Sequence, residues 1–193
     1  RTDSSAASDV YKRQTYNLQK STTFDSAKGS VFEGYNNQYG GEYAHLSNPQ
    51  TLRYILGDNL FENTAGLIKE KEDGLLHSPI VGWAFDGNPI YGPYAYSDPT
   101  DQSSSIIKLN TSYQLKQNLV YNVDSNPNPV RVDGPLLSAE AAGNFVEDYE
   151  YVFGLGALDQ YNGRFCKTPE YPDGRYCYFC LLYTSPSPRD QVV

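Results

Sequence analysis

Ile80-Val81-Gly82-Trp83-Ala84-Phe85, then Asp86-Gly87-Asn88-Pro89, then Ile90-Tyr91-Gly92: an apolar β-former run, a cluster of turn residues, and a second apolar run. Asp, Gly and Asn supply the left-handed and side-chain-bonded conformations that a tight reversal needs. The reading is therefore an antiparallel hairpin centred on 86–89. Pro93 lies just beyond, within Tyr91-Gly92-Pro93-Tyr94-Ala95-Tyr96. A proline has no ladder donor, so an edge or a bulge is predicted there.

Working outward, short extended segments dominate. Strands are predicted at 113–116, 119–123 and 130–132. Another is predicted in Phe145-Val146-Glu147-Asp148-Tyr149-Glu150-Tyr151-Val152-Phe153, which alternates apolar with acidic residues. Arg164-Phe165-Cys166 and Arg175-Tyr176-Cys177-Tyr178-Phe179 form a closing pair of strands around the Pro172-Asp173-Gly174 turn. Residues 30–43 read as loop with short extended pieces. The best helix lies at 48–57: Asn48 as cap, Pro49 in the first position, Gly57 at the left-handed exit, and Leu52, Ile55 and Leu56 as its apolar face. A single further turn is predicted at 138–143. The predicted fold is mainly β, with antiparallel hairpins in a sandwich-like arrangement and one or two short helices.

Composition narrows the function. The chain of 193 residues has a formal charge of −8 and a pI near 4.7. An acidic surface repels phosphate backbones, and no run of Lys and Arg exceeds Lys12-Arg13, so nucleic acid is not an expected partner. No stretch has the ~20 apolar residues of a membrane helix. Tyrosine is abundant, 18 residues against 8 Phe and 1 Trp; its apolar ring and polar tip suit half-buried sheet faces and wet binding surfaces. Met is absent, and the chain is expected to be a fragment. Residues 1–14 (RTDSSAASDVYKRQ) and 180–190 (CLLYTSPSPRD) resemble translated sequencing adapter. The expected organisation is a foreign or disordered tail at 1–14, a lead-in at 15–29, one domain at 30–179 truncated at its C-terminal end, and a second such tail at 180–193.

Two segments are distinctive together: His77-Ser78-Pro79-Ile80-Val81-Gly82-Trp83-Ala84-Phe85-Asp86-Gly87-Asn88-Pro89-Ile90-Tyr91-Gly92-Pro93-Tyr94, and Thr168-Pro169-Glu170-Tyr171-Pro172-Asp173-Gly174-Arg175-Tyr176-Cys177-Tyr178-Phe179 with Leu158-Asp159-Gln160-Tyr161-Asn162-Gly163-Arg164-Phe165 before it. Over these residues the chain resembles the YHYH domain family, named for a Tyr-His-Tyr-His string. This chain carries Tyr176-Cys177-Tyr178-Phe179 there, and both histidines are gone. The variant is similar to YHYH domains in structural proteins of tailed bacteriophages. The resemblance implies a virion or extracellular location and partners among other structural proteins or surface glycans; it implies no established reaction.

Candidate chemistry is sparse. A divalent-metal or metal-dependent enzyme site would centre on His77 with Asp159 or Asp86. Along an extended run, six to nine residues separate groups by roughly 20–30 Å, which counts against a direct His77–Asp86 pair. Asp86-Gly87, Asp159 and Asn162-Gly163 also read as turn-formers, and His77 as a ring bonded to a carbonyl or carboxylate at the start of a strand. Tyr91, Tyr94 and Asn162 are candidate ligand contacts, as part of a tyrosine set (Tyr35, Tyr39, Tyr43, Tyr91, Tyr94, Tyr96) able to stack on sugar rings. Asp148 and Glu150 share one strand face and read as a solvated edge. Cys166 and Cys177 read as small buried residues or, if the register suits, a disulfide. No Walker, GxGxxG, HExxH or GxSxG motif is present. The sequence thus favours a non-enzymatic module for assembly or adhesion, with no cofactor, over the metal-dependent alternative.

Overall fold

The computed structural model describes residues 25, 30–33, 41–45, 48–117, 120–121, 130–131, 142–143 and 148–181. The 1–14 tail, residues 182–193 of the 180–193 tail, most of the 15–29 lead-in, Tyr35, Tyr39 and most of the 138–143 turn lie outside them; Cys180 and Leu181 are described, with the Cys180 N–H bonded to the Tyr91 carbonyl at 2.8 Å and Leu181 packed against the core. The chain is mainly β, with one short helix among the described residues. It falls into two compact units, one built from Thr23–Ser112 and Phe153–Thr184, the other containing Tyr113–Val152.

In the first unit the hairpin forms as predicted: β5 (Ile80–Trp83) pairs antiparallel with β6 (Pro89–Tyr91), and Gly87 takes the left-handed conformation at φ 80°. The irregularity expected at Pro93 lies instead on β5, between Ile80 and Gly82. Pro93 falls in the break between β6 and β7 (Tyr94–Tyr96). Having no N–H, it ends the ladder there, while its carbonyl accepts the Leu109 N–H at 2.8 Å. The closing strands β13 (Gly163–Cys166) and β14 (Arg175–Phe179) pair antiparallel, and β14 then adds parallel to β6. The result is a four-stranded sheet ordered β13-β14-β6-β5. Smaller hairpins join β1 (Ser30–Glu33) to β2 (Gly41–Ala44), β3 (Leu60–Glu62) to β4 (Ile68–Glu70), and β7 to β8 (Ile106–Lys108).

Period-two alternation along β14 divides its side chains between the two sheet faces. Cys177 and Phe179 are buried on the inner face with Tyr91, Ala95, Leu109, Leu158 and Cys166. Tyr176 and Tyr178 take the outer face.

The helix α1 (Gln50–Ile55) is where sequence and structure part most sharply. Gly57 does provide the left-handed exit, at φ 78°. Pro49 occupies the cap position, and Asn48 caps nothing; its Oδ1 accepts from Arg53 Nη1 at 3.0 Å. The predicted apolar face is turned outward, with Ile55 and Leu56 exposed, and the buried helical residue is Arg53, at 0% exposure. Arg53 is held by Asp58 (2.5 Å from Nε) and by a two-pronged pair with Glu70 at 2.7 and 3.0 Å. Asp58 is itself buried and accepts from Ser78 Oγ, from the Asn59 N–H and from Asn59 Nδ2. The Arg53 guanidinium sits 5.8 Å from the Tyr94 ring centre. Gly92 closes this network, since a Cβ there would stand 2.6 Å from Asp58 Oδ2 and 2.7 Å from Ser78 Oγ.

In the second unit β9 (Tyr113–Leu115) pairs antiparallel with β12 (Tyr149–Tyr151), and β10 (Val120–Tyr121) with β11 (Val130–Arg131). Asp148, read from sequence as solvated, is buried and accepts the Gly143 N–H at 2.7 Å. The bond satisfies the carboxylate in place of water.

Candidate functional site

The outer face of the sheet gathers aromatic rings between two carboxylates. Tyr176 and Tyr178, two apart on β14, meet edge to face with ring centres 5.1 Å apart. The Tyr176 hydroxyl donates to Asp159 Oδ2 at 2.6 Å, and the Tyr178 hydroxyl to Asp86 Oδ2 at 2.7 Å. Each carboxylate is fixed by its own turn. Asp86 Oδ1 accepts the Asn88 N–H at 2.9 Å; Asp159 Oδ1 accepts the N–H groups of Tyr161 and Gly163 at 2.8 and 3.0 Å. The turn reading of both residues therefore matches their geometry, and each also anchors one tyrosine from β14. The Asn88 amide and then the Tyr178 hydroxyl hold the Asp86 carboxyl below its ordinary range. Burial, then the bond to Asp159, pushes the Tyr176 phenol up. Phe165 lies beside Tyr176 in the β13–β14 register and is 66% exposed. Gly163 leaves room for Tyr176, because a Cβ there would collide with its hydroxyl.

The sequence-derived ligand candidates Tyr91, Tyr94 and Asn162 are all buried. Tyr91 is 0% exposed, its hydroxyl bonded to Thr168 Oγ1 and Glu170 Oε2, both at 2.9 Å. Tyr94 is buried, and its hydroxyl donates to Glu70. Neither ring offers a face to a sugar. Asn162 is buried in the left-handed conformation at φ 54°, with Oδ1 accepting from Thr111 Oγ1. Its carbonyl accepts the Phe179 N–H at 3.0 Å, so it closes a turn against β14.

His77 packs edge-on against Tyr91 and tilted against Tyr96. Its Nδ1 lies 2.8 Å from the Ser78 carbonyl. A carbonyl only accepts, so Nδ1 carries the proton and the buried Nε2, which has no partner, is the bare nitrogen. The structure does not bring His77, Asp86 and Asp159 together: His77 lies with Tyr91 on the inner face, and both aspartates bind tyrosines on the outer one. Among the described residues no three His, Cys, Asp or Glu side chains group to hold a metal ion.

Burial drives the His77 pKa below its ordinary 6.5. Below about 6.5 the unfolded chain therefore binds a proton that the folded chain resists, and stability falls as pH drops through that value. His77→Gln is expected to flatten that slope in urea titrations between about pH 7 and 5. An unchanged slope would place the acid sensitivity elsewhere.

Sequence reading missed the role of Tyr176 and Tyr178. The signal was there, in their two-residue spacing on a strand whose alternate positions are Cys and Phe. The carboxylate partners, 17 and 92 residues away, had no local signal. A family model described as YHYH protein matches residues 2–188; no curated protein and no solved structure matches the chain.

Proposed function

The chain belongs to the YHYH protein family, and from that membership we propose that it is a non-enzymatic binding module of a larger virion or cell-surface structural protein. Its role is assembly or adhesion, with a glycan as the adhesion ligand. The observation that carries this reading is the outer band of Phe165, Tyr176 and Tyr178 bounded by Asp159 and Asp86. Sugar rings present apolar C–H faces that stack on aromatic rings, and hydroxyl groups that donate to carboxylates. Both carboxylates are held in place by backbone N–H groups before any ligand arrives, which lowers the ordering cost of binding. On the inner face, Cys177 and Phe179 stand in the core where the family string has histidines, so acid–base or metal chemistry through those two positions is lost.

The test is a glycan array followed by titration of the best ligand. Phe165→Ala is expected to weaken binding about tenfold or more, ~1.4 kcal/mol, while stability changes by no more than about 0.5 kcal/mol, because the ring is largely exposed. Binding that ignores Phe165→Ala and Asp86→Asn alike would move the ligand off this face. No glycan and no host-envelope capture by the wild-type chain would remove the adhesion role.

A further inference from the structure

The inner face carries a second feature, independent of the outer band. The β13–β14 register sets Cys166 opposite Arg175 and Cys177 opposite Arg164. Directly opposed residues share a sheet face, so the two cysteines are diagonal neighbours on the inner one. Both are buried in the core and both are free thiols. We propose that Cys166 and Cys177 are a covalent modification site: a dithiol that a low-molecular-weight disulfide converts into a reversible cross-strand disulfide.

The two sulfurs are unequal, which gives each a role. The neighbouring Cys177 thiol, together with the positive charge of Arg164, draws the Cys166 thiol below its ordinary range, and the same contact and burial push Cys177 up. The Cys177 S–H donates to the Arg175 carbonyl at 3.4 Å. The buried Nε–H of Arg164 has no acceptor, so the guanidinium keeps donor capacity beside an anionic sulfur. Cys166 is then the attacking thiolate and Cys177 the resolving thiol. Cys166 S⁻ attacks one sulfur of RSSR, forms Cys166–S–SR and releases RS⁻. Cys177 loses its proton, attacks the Cys166 sulfur, forms the Cys166–Cys177 bond and releases the second RS⁻. Two protein thiols are oxidised and one external disulfide is reduced to two thiols.

Access follows from topology. Among the described residues β13 is an edge of the four-stranded sheet and Cys166 is its last residue, so a local opening that releases the Lys167 N–H from the Pro99 carbonyl reaches it short of global unfolding. Diagonal Cα atoms in such a pair lie ~7–8 Å apart, slightly beyond the ~4.4–6.8 Å of a relaxed disulfide. Closure draws the strands together, and the bond opens readily to a reductant.

The experiment uses the folded Cys180→Ser chain, incubated with glutathione disulfide at neutral pH, blocked with N-ethylmaleimide and digested with trypsin. The expected product joins peptide 165–167 to peptide 176–189, consumes both thiols and reverts with dithiothreitol. Arg164→Gln is expected to slow closure several-fold and to raise the pH of half-maximal rate. The proposal is overturned if both thiols remain free to alkylate, if Cys166 stops at its glutathione adduct, or if the cross-link forms only in denaturant. Should Cys180→Ser not fold, chymotryptic cleavage after Phe179 separates Cys177 from Cys180 in the wild-type chain and gives the same decision.

Discussion

Arg53→Met lowers the stability of the chain by about 3–5 kcal/mol, the usual cost of stranding one member of a buried ion pair. The side chains of Arg53 and Asp58 are both 0% exposed. Removing the guanidinium leaves Asp58 charged in a site that water does not reach, with Ser78 and Asn59 as its remaining donors. It also releases both oxygens of Glu70, one of which holds the Tyr94 hydroxyl. Arg53→Lys recovers little, because a point ammonium cannot bridge Asp58, Glu70 and Asn48 as a planar fork does. Arg53→Met with Asp58→Asn recovers part of the loss, since the stranded charge is gone. Urea midpoints for the three variants and wild type measure this. An Arg53→Met chain within about 1 kcal/mol of wild type would mean that water reaches the network.

Phe179→His, which restores the last histidine of the family string, is expected to cost about 2–4 kcal/mol at neutral pH and more in acid. The Phe179 ring stacks on Tyr91 at 5.9 Å, and the Arg164 guanidinium lies 5.5 Å above it. An imidazole there loses apolar contact and brings two polar nitrogens into the core. Burial and the adjacent guanidinium both oppose its protonation, so its folded-state pKa lies below the unfolded value near 6.5. The unfolded state then binds the proton first, and stability falls as pH drops through that window. Thermal midpoints of variant and wild type at about pH 7.5 and pH 5.5 decide it. A variant as stable as wild type, or one that gains on acidification, would show that the pocket still accommodates histidine.

Much of the sheet was legible because its signals are local. The Asp86–Pro89 turn residues and the flanking β-formers give β5 and β6. The Pro172-Asp173-Gly174 turn and the alternation after it give β14 to the residue. The two distinctive segments, 77–94 and 158–179, were expected to lie side by side, and β14 does pair with β6; the parallel sense of that seam was not legible, since nothing within either segment sets the direction of pairing. The helix misled for a physical reason. Leu52, Ile55 and Leu56 have the spacing of a buried face, yet the face that packs is the one whose arginine meets Asp58 and Glu70. Strands β3 and β4, which carry Glu70, were not foreseen; their three-residue lengths leave too little periodicity to read. The candidate site was half legible: Asp86 and Asp159 were singled out, but for a metal with His77 rather than for the tyrosines that hold them.

The seam where Tyr178 registers with Ile90 has a consequence for biosynthesis. On a ribosome the β5–β6 hairpin emerges well before its sheet neighbour β14, and β6 waits with one side unsatisfied until almost ninety further residues have been translated. Long-range closure of this kind is intrinsically slow. The nascent chain is therefore most exposed to misassociation in that interval, and a premature stop before Arg175 would release a polypeptide whose central strand never finds its mate.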